Sequence, residues 1–138
     1  MKHPQRIELA PGYTISRVIT GLWQVADIEK EGNIMDIESA ASALVEYADS
    51  GFDTFDMADH YGSAELISGH ARKRILKELP NIGSSGKAKF HTKWCPKPGE
   101  MTSQKVRDAV LLSAERLETE QIDLMQFHWW NYEHPHYL

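Results

Sequence analysis

The sequence predicts an α/β fold in which parallel strands alternate with helices along one chain of 138 residues. Four short apolar segments begin near residues 18, 52, 88 and 122, a repeat of about 35 residues, with helical patterns between them. This alternation is typical of parallel strands joined by right-handed crossover helices. A complete (β/α)₈ barrel needs about 250 residues. The chain is therefore expected to be a single domain over residues 1–138, either half of such a barrel or a small open sheet.

The first predicted elements are a hairpin and a buried strand. Residues 6–16 form two alternating segments around Pro11-Gly12, which predicts a β-hairpin. Residues 18–25 are mostly apolar, as expected of a strand that is buried on both faces. Gly21 lies inside this segment and indicates a close approach to the backbone by a neighbour or a ligand. A polar loop is expected over residues 26–35.

Three amphipathic helices are predicted between the later strands, because apolar residues recur there at three- and four-residue spacing. Their predicted N-caps, in chain order, are Asp36, Ser63 and either Thr102 or Ser103. The strands that follow or separate them are predicted over residues 52–57, 87–94 and 122–128. Glu115-Arg116 and Glu118-Thr119-Glu120 are expected to form a solvated helix end.

Composition limits the class of protein. A net charge of −5 without a basic run argues against nucleic-acid binding. No segment approaches the roughly 18 apolar residues of a membrane helix, and the first residues lack the apolar core of a secretory signal. Cys95 is the single cysteine, so an internal disulfide is impossible and a reducing compartment, by default the cytoplasm, is expected.

Three of the predicted strands end in a side chain that can take part in catalysis. Asp56, Lys93 and His128 each end a strand, and Tyr61 follows in the loop after Asp56. The carboxyl ends of parallel strands gather at one rim, so these four side chains are expected to meet. A phenol with an ordinary pKa of about 10 is a poor acid at neutral pH unless a nearby cation favours its anion. A lysine held by a carboxylate would supply that cation, and a neutral imidazole would orient a carbonyl oxygen.

These segments resemble the N-terminal half of an aldo-keto reductase, the family in which the four residue types follow one another in this order. The resemblance rests on residues 51–65 with Asp56 and Tyr61, on 90–94 with Lys93, on 126–129 with His128, and on the opening hairpin with Gly21-Leu22-Trp23. It implies the N-terminal half of a TIM (β/α)₈ barrel, with about four parallel strands, three crossover helices and an N-terminal hairpin.

The resemblance also implies an activity and its residues. The reaction would be hydride transfer from NADPH to an aldehyde or ketone, with Tyr61 as the general acid, Lys93 and Asp56 tuning it, and His128 positioning the carbonyl. Cofactor contacts are implied at Gly21, Trp23 and Asp56, and substrate contacts at Trp23, Trp94 and Trp129. In the family, the second half of the barrel supplies most of the cofactor site. A half-barrel also exposes two strand edges and an apolar interior, so we expect a homodimer, a C-terminal partner segment or a compacted rearrangement to cover the open edges.

Several alternatives remain open at this point. A half-barrel could act as a non-catalytic module that self-associates through its edges. His128, His134 and His136 could chelate a metal, although no acid or thiol pattern accompanies them, so no metal site is predicted. His60 is expected to be a loop residue and His91 a strand-face residue. An aromatic cluster follows the last strand: Trp129, Trp130, Tyr132 and Tyr137. The family resemblance implies that Trp129 and Trp130 line the substrate mouth, and the alternative is that they cover exposed core.

Overall fold

The fold is a four-stranded parallel sheet with helices on one face and a hairpin against the other. The computed structural model describes residues 4–25, 36–82, 87–129 and 133. The predicted loop 26–35 and residues 83–86 of the predicted loop 81–86 lie outside the described residues, as do His134, His136, Trp130, Tyr132 and Tyr137. The hairpin strands are β1 (Arg6–Ala10) and β2 (Tyr13–Ser16).

The parallel strands stand in sequence order, β3-β4-β5-β6, which is the arrangement expected of successive βα units. They are β3 (Thr20–Gly21), β4 (Thr54–Asp56), β5 (Lys89–Trp94) and β6 (Leu124–Phe127). The crossover helices are α1 (Ile37–Asp49), α2 (Ala64–Glu78) and α3 (Ser103–Arg116). Among the described residues, no helix is both long enough and apolar enough to cross a bilayer.

Local side-chain bonds explain where two of the helices begin. The Asp36 carboxylate accepts a hydrogen bond from the backbone N–H of Ser39 at 3.1 Å, and the Thr102 hydroxyl accepts one from Lys105 at 3.2 Å. Both caps were predicted. The predicted cap at Ser63 is wrong in its mechanism, because α2 starts after Ser63 without any side-chain capping bond.

The apolar core lies between the sheet and the first two helices. Phe55 of β4 and Phe90 of β5 stack with ring centroids 5.1 Å apart and are fully covered. Small residues on the helices allow close packing on these rings: Ala40, Ala41, Ala48, Ala64 and Ala71. By contrast α3 buries only Ser113 along its length, and Leu111 and Leu112 remain exposed.

The first parallel strand is much shorter than predicted. Only Thr20 and Gly21 pair with β4, and residues 23–25 form a turn of 3₁₀ helix. Val18 is 55% exposed, so the predicted burial on both faces is wrong there. The pairing ends where the Leu22 N–H donates to the carbonyl of Asp56 at 2.9 Å, after which the chain turns away from the sheet. Apolar composition marked the buried Leu22 correctly but could not give the length of the strand.

The hairpin closes the N-terminal end of the sheet face opposite the helices. The Tyr13 hydroxyl lies 2.9 Å from Nε2 of His91, and the Ser16 N–H donates to the Thr54 hydroxyl at 3.1 Å. Arg6 forms an ion pair with Asp53 at 2.8 Å. These contacts leave the C-terminal ends of the strands as the accessible edge of this face.

Candidate active site

Lys93 and Asp56 form an ion pair at the C-terminal ends of adjacent parallel strands. The register pairs Asp56 with His91, so alternation along β5 places Lys93 on the same face, one step further on. Nζ of Lys93 donates to Oδ2 of Asp56 at 2.5 Å and to the carbonyl oxygen of Met57 at 2.9 Å. Gln126 of β6 donates more weakly to Oδ1 of Asp56 at 3.5 Å. Three neighbouring strands therefore converge on one carboxylate.

Tyr61 lies above this ion pair because the chain after β4 continues to pair with β5 before it turns. The Asp59 N–H donates to the carbonyl of Lys93 at 2.9 Å, and the Tyr61 N–H donates back to Ala58 at 3.1 Å. Nζ of Lys93 lies 5.3 Å from the centroid of the Tyr61 ring, within range of a cation–π interaction. The ring of Trp23 meets the Tyr61 ring edge-on with centroids 4.8 Å apart. The aromatic ring of Tyr61 is thus held from two sides.

His128 joins the group from the end of β6. Its backbone N–H donates to the carbonyl of Trp94 at 2.8 Å, which extends the β5–β6 pairing by one residue. Its ring lies 5.8 Å, centroid to centroid, from the ring of His60, and His60 lies 4.9 Å from the ring of Tyr61. The structure therefore brings Asp56, Tyr61, Lys93 and His128 to one edge, with His60 between Tyr61 and His128.

The tryptophans and Gly21 occupy different surroundings. Trp23 contacts Tyr61, and a Cβ atom added to Gly21 would meet no atom within 4 Å among the described residues, so the space beside it is open. Trp94 alternates with Lys93 in β5, faces away from it, and packs against Phe127 at 5.7 Å. Trp129 stacks on Phe127 with ring centroids 6.5 Å apart. Trp94 and Trp129 therefore both pack on Phe127, Trp94 edge-on and Trp129 face to face.

Two further residues position the site and were missed by sequence reasoning. The Asp59 carboxylate lies 3.0 Å from Nδ1 of His60 and accepts the Cys95 N–H at 3.3 Å with both oxygens. Arg116 donates to the carbonyl of Asp59 at 3.2 Å and pairs with the buried Glu65 at 3.3 Å. The expectation of a fully solvated helix end is wrong at Arg116. Its contacts join residues more than 50 positions apart, so no local pattern could have indicated them.

The fold and the site define a class of protein. A parallel α/β sheet that gathers a phenol, an ammonium, a carboxylate and an imidazole at the C-terminal ends of its strands is a (β/α)-barrel segment with a polar rim. The chain belongs to the Aldo/keto reductase family, whose sequence profile matches residues 17–138.

Individual relatives agree with this assignment. Pyridoxal reductase from the chloroplast of Arabidopsis thaliana is 26% identical over 129 residues, which cover 91% of this chain and 35% of the plant protein. A Bombyx mori aldo-keto reductase in complex with NADP is 22% identical with a TM-score of 0.65, covering 91% of this chain and 38% of that one. A thermostable aldo-keto reductase in complex with the inhibitor epalrestat gives a TM-score of 0.73 at 22% identity, with 95% and 45% covered.

These comparisons confirm the predicted fold. The two solved structures are too distant in sequence to establish more than the fold, and the chain spans less than half the length of each of these relatives. The parallel sheet, its three crossover helices and the opening hairpin correspond to part of an aldo-keto reductase barrel.

Proposed function

We propose that this chain carries the proton-transfer side of an NADP(H)-dependent reductase that converts small aldehydes or ketones to alcohols. The observation that carries the proposal is the Lys93–Asp56 ion pair, 2.5 Å long, at the strand ends beneath the ring of Tyr61. The pair is only partly covered, with 16% of the Lys93 side chain and 31% of the Asp56 side chain exposed. A small substrate can therefore approach it.

Each side chain has a role in this reaction. Tyr61 donates its phenolic proton to the carbonyl oxygen of the substrate, and the ammonium of Lys93 beside the ring stabilises the phenolate that remains. Asp56 keeps Lys93 charged and fixed, because its carboxylate is the ammonium's strongest partner. His128 orients the carbonyl through its ring nitrogen. When bound, NADPH supplies a hydride to the carbonyl carbon, which balances the proton on oxygen.

The described residues fit the reactive end of a nicotinamide cofactor. Open space beside Gly21 and the exposed ring of Trp23 adjoin Asp56 and Tyr61, so a flat ring could lie there without displacing a side chain of the described residues 4–25, 36–82 or 87–129. The NADP held by the Bombyx mori relative supports this choice of cofactor. The family resemblance assigns the remainder of the cofactor site to the second half of the barrel, so NADPH affinity is expected to be modest in this chain alone.

A second candidate function is assembly through the exposed side of the sheet. Leu124 and Phe127 of β6, together with Leu111 and Leu112 of α3, expose apolar surface where a further βα unit would pack. A second copy of the chain or a C-terminal partner segment would cover that surface. Sedimentation equilibrium of the purified chain measures the first possibility directly, because a dimer would double the apparent mass.

The proposal is tested with NADPH and an aldehyde. Pyridoxal is a suitable first substrate, given the plant relative. We expect NADPH to quench the fluorescence of the four tryptophans and to be oxidised when the aldehyde is added. Tyr61→Phe keeps the ring contacts but removes the proton donor, so turnover should fall about 10²- to 10⁴-fold while quenching persists.

Tyr13→Phe is the matched control for this experiment. It also removes one phenolic hydroxyl, but beneath the hairpin, where the hydroxyl bonds His91 and does not face the substrate edge. We expect its turnover per folded molecule to equal that of the unmodified chain. A chain that neither binds NADPH nor oxidises it would contradict the proposal and favour assembly as the function.

A further inference from the structure

Three side chains that commonly bind metals converge at the edge of the site. His60 follows β4, Cys95 follows β5 and His128 follows β6, and one ligand atom from each lies within 4.8 Å of the other two. The three come from successive βα units, so their meeting is a product of the sheet and not of a local sequence motif. The residues include both imidazoles and a thiol, a set that suits a borderline-soft divalent ion.

The Asp59 carboxylate orients two of these ligands. Its Oδ1 lies 3.0 Å from Nδ1 of His60, so that nitrogen carries the proton and the imidazole lone pair lies on Nε2. Both Asp59 oxygens accept the Cys95 N–H at 3.3 Å, which fixes the backbone that carries the thiol. A carboxylate that holds the second nitrogen of a histidine is the usual supporting partner of a metal-binding imidazole.

The spacing requires only a small adjustment. With zinc–nitrogen bonds of about 2.0–2.1 Å and a zinc–sulfur bond of about 2.3 Å, tetrahedral donors lie about 3.3–3.6 Å apart. The three ligand atoms, now within 4.8 Å of one another, would have to close by about 1 Å. His60 is exposed and His128 and Cys95 are partly exposed, so side-chain rotation can supply that movement and solvent can reach the fourth position.

We propose that His60, Cys95 and His128 bind a zinc ion, with water as the fourth ligand. Binding converts the Cys95 thiol to a thiolate and releases its proton to solvent. This set shares only His128 with the histidine cluster that the sequence suggested. It also includes the thiol of Cys95, whereas no thiol accompanies that histidine cluster in the sequence.

Zinc at this position would act as an inhibitor of the reductase chemistry. It would bind the imidazole of His128, which under the proposed function orients the substrate carbonyl. It would also lie near the ring of Tyr61, because its ligand His60 packs against that ring. This part of the inference rests on the proposed function, whereas metal binding itself does not.

Cobalt titration of the purified chain tests the binding, because Co²⁺ reports its ligands by absorbance. Cys95 is the single cysteine, so a thiolate-to-cobalt charge-transfer band can arise only from it. We expect such a band, its displacement by Zn²⁺, and its complete loss in Cys95→Ser. His60→Gln should weaken Zn²⁺ binding, and Asp59→Asn should weaken it about 10- to 100-fold through the lost supporting bond.

His70→Gln is the matched control, since His70 pairs with Glu38 and Glu118 away from the site. It should bind Zn²⁺ as the unmodified chain does. Absence of the charge-transfer band, or zinc affinity that survives both Cys95→Ser and His60→Gln but is lost on replacing His134 and His136, would overturn the proposal.

The inhibition is measured separately as NADPH oxidation with and without Zn²⁺. Zinc should inhibit the unmodified chain and leave Cys95→Ser unaffected. A chain that gives the cobalt band but no turnover under any condition would retain the metal site and contradict only the proposed function. Zinc binding without inhibition of an active chain would overturn the inhibitory role.

Discussion

Two regions of the parallel sheet carry the same four side-chain types in different surroundings. Beneath the hairpin lie Tyr13, Lys89, Asp53 and His91, the last in register with Asp56 and one step before Lys93 on the same face, and at the C-terminal edge lie Tyr61, His128, Lys93 and Asp56. The first set is sealed by the hairpin, with Asp53 wholly buried and His91 only 3% exposed. The second set is open, with nearly a third of the Asp56 side chain exposed. The two sets therefore share their residue types and differ in the exposure of the carboxylate and the imidazole.

Burial beneath the hairpin favours the neutral forms of Tyr13 and His91. Burial, with Asp123 nearby, raises the pKa of Tyr13 to about 12, and burial lowers the pKa of His91 below its ordinary value. The phenol and the imidazole can then bond each other as neutral partners at 2.9 Å. The bond between Tyr13 and His91 is therefore expected to contribute to stability.

The largest expected contrast is between the two lysines. Lys93→Met removes the ammonium beside Tyr61, and we expect reductase turnover to fall about 10²- to 10⁴-fold. Lys89→Met removes an ammonium that lies 5.0 Å from the ring of Tyr13, so it should change stability and leave turnover per folded molecule intact. Steady-state kinetics on both variants measures the difference. Equal losses of turnover in Lys93→Met and Lys89→Met would remove the functional distinction between the two regions.

The next contrast concerns the buried carboxylate of Asp53. Arg6→Met leaves Asp53 buried without its ion-pair partner, which should cost about 3 kcal/mol of unfolding free energy. Arg17→Met is the control, because Arg17 bonds only the exposed Gln5 side chain among its described side-chain contacts, and it should stay within about 0.5 kcal/mol of the unmodified chain. Urea denaturation followed by circular dichroism gives both values. A loss at Arg6 no greater than at Arg17 would show that Asp53 is not sealed.

A smaller effect is expected from the Tyr13 hydroxyl beneath the hairpin. Tyr13→Phe removes the bond to His91 and leaves a buried ring nitrogen without that partner, at a cost of about 1–3 kcal/mol. The same urea experiment measures it. The pH dependence of the variant's stability should change too. In the unmodified chain the raised pKa of Tyr13 contributes stability that is lost as pH rises from about 10 toward 12. A Phe variant with the unaltered alkaline slope would contradict this assignment.

The smallest expected effect is the acid dependence due to His91. Its folded-state pKa is lowered by burial, so below the ordinary value of 6.5 the unfolded chain binds a proton that the folded chain does not. Stability is therefore complete above that pH and declines as pH falls toward the folded-state pKa. His91→Gln should flatten the decline in urea midpoint over this interval. An unchanged slope would show that His91 is protonated in the folded protein.

Local chemistry made much of the fold predictable, while the site depended on register. Asp36 and Thr102 cap their helices through bonds within three residues, and sequence patterns indicate such bonds well. The length of the first strand and the direction of Trp94 depend instead on pairing with distant strands. Asp56, Tyr61, Lys93 and His128 were found because strand ends converge in a parallel sheet. Asp59 and Arg116 were missed because their partners are set only after the chain has folded.

Asp56 joins the sheet and the site in a single residue. Its carbonyl accepts the Leu22 N–H of the neighbouring segment, while its carboxylate holds Lys93. A slip of β4 by one position would turn that carboxylate toward the helices and present Phe55 to the reactive edge. Under the proposed function, chemical competence would therefore be acquired in the same step as correct strand alignment.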